Sequence, residues 1–143
     1  MIVRMEASFE LFDHTADMGV RVHAETREDL VVAAVDGLYA TIGELVAGSE
    51  ESSFGFHRRG EDDATLLRDF LNELLILFER RKKRVVRLDG VRFSHRELLV
   101  AATVAPIDPD RSDYLREVKA ITYHELAIRN VEGGYEATFI VDI

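Results

Sequence analysis

From Val85 to Ile143 the chain reads as strands and turns with no helix. That excludes a parallel, doubly wound sheet, which needs a crossover, usually a helix, between successive strands. The alternation there has period two instead. Leu98, Val100, Ala102 and Val104 form one run, and Tyr135, Ala137, Phe139 and Val141 form another, the mark of strands with one buried face. Val20, Val22 and Ala24, then Phe54 and Phe56, repeat it earlier. Asp89-Gly90, between Val85–Leu88 and Val91–Phe93, predicts a two-residue hairpin, and Gly133-Gly134 predicts another. Strands joined so tightly are antiparallel. Pro106-Ile107-Asp108-Pro109-Asp110 holds both prolines of the chain and predicts a loop.

Two segments do have helical period. Between Thr26 and Gly43, Leu30, Val31, Ala34, Val35, Leu38, Tyr39 and Ile42 fall on one stripe, with Thr26 and Asp29 as a capping pair and Gly43 as a stop. From about Asp63 to Arg81, Leu66, Leu67, Phe70, Leu71, Leu74, Leu75 and Phe78 build a wider apolar face. Acidic residues open that helix, and Arg80 to Arg84 close it, as the helix macrodipole favours. The expectation is an α+β fold over residues 1–143 as a single domain: two amphipathic helices packed on a largely antiparallel sheet system of about seven or eight strands.

Composition narrows the function. A content of 47% hydrophobic residues is enough for a core. With no cysteine, disulfide scaffolds, zinc ribbons, iron–sulfur sites and thiol nucleophiles are excluded. The opening Met-Ile-Val-Arg-Met-Glu offers no apolar run for a signal peptide or membrane span, so a cytoplasmic location is expected. A net charge of −9 opposes strong direct binding of nucleic acid. The nine glycines form no Gly-x-Gly-x-x-Gly, and the two pairs at P-loop spacing are followed by Ser49 and Glu61 where a lysine is needed. No two histidines sit one turn apart on a helix.

Four features remain as candidates. Asp13-His14-Thr15-Ala16-Asp17-Met18-Gly19 places polar and small residues between two strands. Such a cluster suits a turn as well as a site. At the other end, Ala137, Phe139 and Val141 pointing inward would turn Thr138, Ile140 and Asp142 outward, next to the terminal carboxylate of Ile143. As a loose chain end these are merely solvated. Held by a sheet, their oxygens suit a hard divalent cation. The basic run Arg80 to Arg84 reads either as a solvated helix terminus or as a patch for RNA or an acidic protein surface. Lys119, on the face of Ile121 and Tyr123 in an expected strand, is a functional group or a snorkelling edge residue.

Asp13-His14-Thr15-Ala16-Asp17-Met18-Gly19 resembles the N-terminal motif of the archeases. Leu71-Asn72-Glu73-Leu74-Leu75, Val118-Lys119-Ala120-Ile121-Thr122-Tyr123-His124 and the ending Phe139-Ile140-Val141-Asp142-Ile143 are similar to the family's later motifs, in the same order. Met18 stands where Ile or Val is more usual. The resemblance implies a protein cofactor, not an enzyme. The partner it implies is an RtcB-type tRNA-splicing RNA ligase, whose guanylylation on histidine and repeated turnover such a cofactor promotes. It further implies a bound divalent metal, Ca²⁺ in the family, with Asp17, Asp142 and Ile143 as ligands. Asp13, His14 and Lys119 are further functional candidates. A chaperone or modulator of another nucleic-acid enzyme, such as an RNA methyltransferase, is the alternative. A metal-dependent hydrolase built on Asp17, Asp142 and a histidine is a third class.

Overall fold

The computed structural model describes residues 7–14 and 16–143, with His14 described by its backbone. Residues 1–6, where the sequence expects no signal segment, and Thr15 of the first motif lie outside the described residues. Among the described residues, two helices and ten strands, all paired antiparallel, make up the fold. The first sheet holds β1 (Ser8–His14), β2 (Asp17–Ala24) and β10 (Gly134–Asp142), with β8 (Ala120–Ile121) and β9 (Ala127–Val131) side by side along the far edge of β10. The second has β6 (Glu97–Pro106) between β4 (Ser52–Arg59) and β5 (Lys83–Ser94). The two-residue strands β3 (Gly43–Glu44) and β7 (Asp113–Tyr114) form a third pair. The strand count exceeds the expected seven or eight because β3, β7 and β8 are too short to show a period.

Both helices end where the sequence places their signals. In α1 (Arg27–Ile42) the Thr26 hydroxyl accepts the Asp29 N–H at 3.1 Å, and Gly43 is the C-cap. In α2 (Asp63–Arg81) the Asp62 carboxylate accepts from the Ala64 N–H and the Thr65 hydroxyl, and Lys82 closes the helix in the left-handed region at φ 54°. α1 packs on β1, β2, β10 and β5, while α2 packs on β4, β5, β6 and β8. One apolar core therefore lies between the two sheets and both helices, centred on Leu30, Leu38, Phe70, Leu74, Leu98 and Phe139. No helix among the described residues is long and apolar enough to cross a membrane.

Tyr39 ties the layers together. Its ring is buried on α1, the Arg84 guanidinium lies 4.3 Å from its centre, and its hydroxyl oxygen accepts the Val85 N–H at 2.9 Å. Burial raises the Tyr39 pKa, against the lowering effects of the Val85 N–H and Arg84, so the phenol is neutral at physiological pH. Tyr39→Phe leaves a buried N–H without its acceptor and is expected to destabilise the fold by about 1–3 kcal/mol. Urea unfolding followed by circular dichroism measures this, and a loss below about 0.5 kcal/mol would show that water replaces the phenol.

Three local expectations need correction. Asp89-Gly90 is no hairpin: β5 runs straight through it, with register shifts between Val85 and Arg87 and between Leu88 and Gly90. Asp89 is held within the sheet instead, accepting from Arg87 Nε at 3.0 Å and from the Thr103 hydroxyl at 2.7 Å. The turn comes at His95-Arg96, where Arg96 adopts φ 65°. Its N–H donates to Asp63 and its carbonyl accepts the Gly60 N–H, so contacts with the start of α2 hold a conformation no local signal announces. The expected loop at Pro106–Asp110 is shorter, since Pro106 ends β6 opposite Lys83 and Ile107 bridges to Ala47. Lastly, Ile140 is turned away from Phe139 yet fully buried, so the outer side of β10 is not uniformly polar. The Gly133-Gly134 hairpin agrees with expectation, Gly133 taking φ 83° between paired Val131 and Gly134.

Candidate functional site

The first motif is a tight hairpin. β1 and β2 pair from Ser8 opposite His23 to His14 opposite Asp17, with Ala16 at φ 61° in the turn. It is both a turn and part of a larger arrangement, because β2 also pairs with β10, and that register sets Asp142 directly opposite Asp17. Asp13 lies opposite Met18, on the alternate face, and is exposed. The register thus distinguishes two aspartates that spacing alone leaves equivalent.

Gly19 of the motif has a steric role. Phe12, Gly19 and Ile140 form one cross-strand row, and the Phe12 ring lies across Gly19 where a Cβ would otherwise stand. Arg21 covers the same ring, with its guanidinium 4.7 Å from the centre. This cover accounts for an outward-facing strand position such as Ile140 being dry.

The chain end is held from its other side. The Lys119 N–H donates to the Asp142 carbonyl at 2.8 Å and the Thr122 N–H to the Ile140 carbonyl at 2.9 Å, and Ala120 pairs with Asp142. Asp142 is therefore flanked by β2 and β8 and is not a loose terminus. Lys119 is exposed and lies immediately before β8, not within a strand as expected. Ile121 is buried while Tyr123 is 62% exposed in the following turn. Arg68 of α2, which sequence reasoning missed, holds this segment. Its Nε donates to the Ile121 carbonyl at 3.0 Å, and another guanidinium nitrogen donates to the Tyr123 hydroxyl at 3.1 Å. The guanidinium also lies 4.4 Å from the Tyr123 ring centre. Its only sequence signal is one arginine set between Leu67 and Phe70 of a buried stripe.

Asp17 and Asp142, opposite one another in register, both carry carboxylate oxygens, the donors that a hard divalent cation takes. Like charges directly opposite on neighbouring strands repel, and a cation relieves this. Among the described residues no three His, Asp or Glu side chains gather in a metal-holding group. His23 and His57 are paired elsewhere, with Glu136 at 2.8 Å and Glu97 at 2.7 Å. His14 is opposite Asp17 in register, and its side chain lies outside the described residues.

The order of these motifs along one β-rich fold can be compared with known proteins. Residues 9–143 match the archease protein family. The chain belongs to the archease family. It is 34% identical to protein archease of Methanopyrus kandleri, covering 94% of this chain and 99% of that one. It is 31% identical to protein archease of Pyrococcus furiosus, covering 94% and 98%. The solution structure of Methanobacterium thermoautotrophicum protein 1598 superposes with a TM-score of 0.71 at 26% identity, covering 94% of this chain and 98% of that one. A Thermotoga maritima archease, described as a possible chaperone, shares the fold with a TM-score of 0.68 at 22% identity, covering 92% and 94%. The α+β architecture, two helices against mostly antiparallel strands, is thus that of the archeases.

Proposed function

We propose that this archease-family chain activates an RtcB-type tRNA-splicing RNA ligase, promoting its guanylylation and repeated turnover. In this reading it makes no product of its own and works with a divalent cation, Ca²⁺ or another, held by Asp17, Asp142 and the carboxylate at Ile143. The observation that carries the reading is the register that sets Asp142 opposite Asp17 at one end of the first sheet, within a chain matching the family from residue 9 onward. The ion, when bound, supplies compact positive charge suited to phosphate oxygens. The chain's own contribution is positional. β2 and β8 fix Asp142 from both sides, and Arg68 holds the segment that carries Lys119 beside it. A net charge of −9 favours docking on a basic, RNA-binding enzyme.

The test counts ligated RNA per ligase active site, using the cognate ligase with GTP and Mn²⁺ and substoichiometric amounts of this protein. Many ligations per ligase are expected. A yield at or below one overturns the proposal. If the protein instead only keeps a nucleic-acid enzyme from aggregating, the chaperone reading takes its place.

A further inference from the structure

A second surface lies far from the aspartates. Arg68 sits in the second turn of α2 and Arg80 twelve residues later, about 18 Å along the axis. Beside that end of the helix is a cleft of about 410 Å³. Its floor is Phe54 of β4, Val104 of β6, and Ile76 and Leu77 of α2; its rim is Arg80, Arg81 and Lys83. Glu73 lines it one turn earlier. The spacing of Glu73, Ile76, Leu77 and Arg80 puts them on one helical face, which runs beside β4 in the opposite direction.

β4 is an edge. Among the described residues it pairs with β6 alone, from Ser52 opposite Val104 to Arg59 opposite Glu97 without a bulge. Exposed edges are normally blunted by charge, proline or a bulge. Here only the far half is: Arg58 pairs with Asp69 at 3.1 Å, and Arg59 pairs with Glu97 at 3.0 Å. Ser52, Ser53, Phe54 and Gly55 carry no charge. Next to this open half, Arg80, Arg81, Lys82 and Lys83 have no carboxylate partner among the described residues. Four successive cations without a carboxylate partner among the described residues stand out in a chain of net charge −9.

We propose that this cleft binds an extended acidic segment of a partner protein. The segment adds as a strand to the free side of β4 and sets carboxylates against Arg80, Arg81 and Lys83. Backbone hydrogen bonds along the edge would supply affinity, and the apolar floor would take alternate side chains. The charges of the rim select acidic residues over basic ones. A short peptide suits the surface better than RNA. The free strand edge matches a peptide backbone, and long-range repulsion from the acidic protein grows with each charge on the ligand.

The probe is fluorescein-labelled acetyl-Glu-Val-Asp-Ile-Glu-Val-Asp-Leu-amide, followed by anisotropy. A version with lysine replacing each acid should bind about tenfold more weakly or worse. Two further versions carry N-methyl groups on alternate amides in opposite phases. Strand addition predicts that one phase abolishes binding and the other does not, since only every second amide faces β4. The double substitution Arg80→Glu and Arg81→Glu should lose about tenfold or more, while Arg80→Lys with Arg81→Lys retains binding. Both positions are exposed, and thermal melts confirm that the variants fold. No binding of the acidic peptide up to about 1 mM overturns the proposal. So does equal binding of the lysine version, equal loss in both N-methyl phases, or indifference to charge reversal in a folded variant. A labelled single strand of about twelve nucleotides that binds more tightly than the peptide, and loses binding on the same reversal, assigns the cleft to RNA instead.

Discussion

Calcium titration of Asp142→Asn should give an affinity lower by about tenfold or more, which is about 1.4 kcal/mol, and Asp17→Asn should lose a similar amount. On the proposed reading each substitution removes one full charge from the ion's oxygen ligands and hardly alters volume. The register that opposes the two aspartates also sets the sign of a second effect. Without metal, like charges facing one another across strands are destabilising. Asp142→Asn should therefore melt no lower than the parent protein, and slightly higher at low ionic strength. The strand hydrogen bonds at this position use the Asp142 backbone and survive the change. A C-terminal extension turns the Ile143 carboxylate into a neutral amide and should weaken calcium binding in the same direction. Calorimetry on the three proteins, run beside guanylylation of the ligase, decides the matter. Unchanged affinity in the extended protein removes Ile143 from the site, and full ligase activation by both Asn variants removes the metal from the function.

Phe70→Ala should produce the largest loss of stability, about 3–5 kcal/mol, against a total of about 5–15 kcal/mol for a domain. The ring is fully buried at the middle of α2, tilted against Phe56 of β4 at 5.3 Å between centres. Leu66, Leu67, Leu71 and Leu74 around it are buried too. Neighbours on a helix and a sheet cannot all close in on one vacancy, so a cavity remains. Phe70→Leu keeps most of the volume and should cost roughly a third as much. Urea unfolding of both variants measures the difference, and a loss below about 1 kcal/mol for Phe70→Ala would mean that the helix resettles onto the sheet. The loss should reach the site, because Arg68 on the same helix holds Ile121 and Tyr123. Partial loosening of α2 would release the Lys119 segment before the rest of the first sheet opens.

What the amino-acid sequence by itself determined is local. Both helices begin and end at the expected residues, because capping, terminal charge and the apolar stripe act within a few residues of each other. The long strands follow from alternation, with Val20, Val22, Val100, Val104, Ala137 and Phe139 buried as their period requires. The motif around Asp17 and the ending at Asp142 were legible as well, as was the family they resemble. What only the tertiary structure decided depends on partners far along the chain. Asp89-Gly90 has turn chemistry, yet Arg87 and Thr103 hold it in the sheet, and the turn falls instead on Arg96, secured by Asp63 and Gly60. The two-residue strands exist because β10 and β3 bring them partners. The choice of Asp17 over Asp13 opposite Asp142 is a matter of strand order and register: β2, not β1, lies beside β10, and a slip of one residue between those two would move Asp17 off Asp142. Period-two spacing marks which residues share a face of one strand, but only the pairing of β2 with β10, more than a hundred residues apart in the chain, fixes which carboxylates meet.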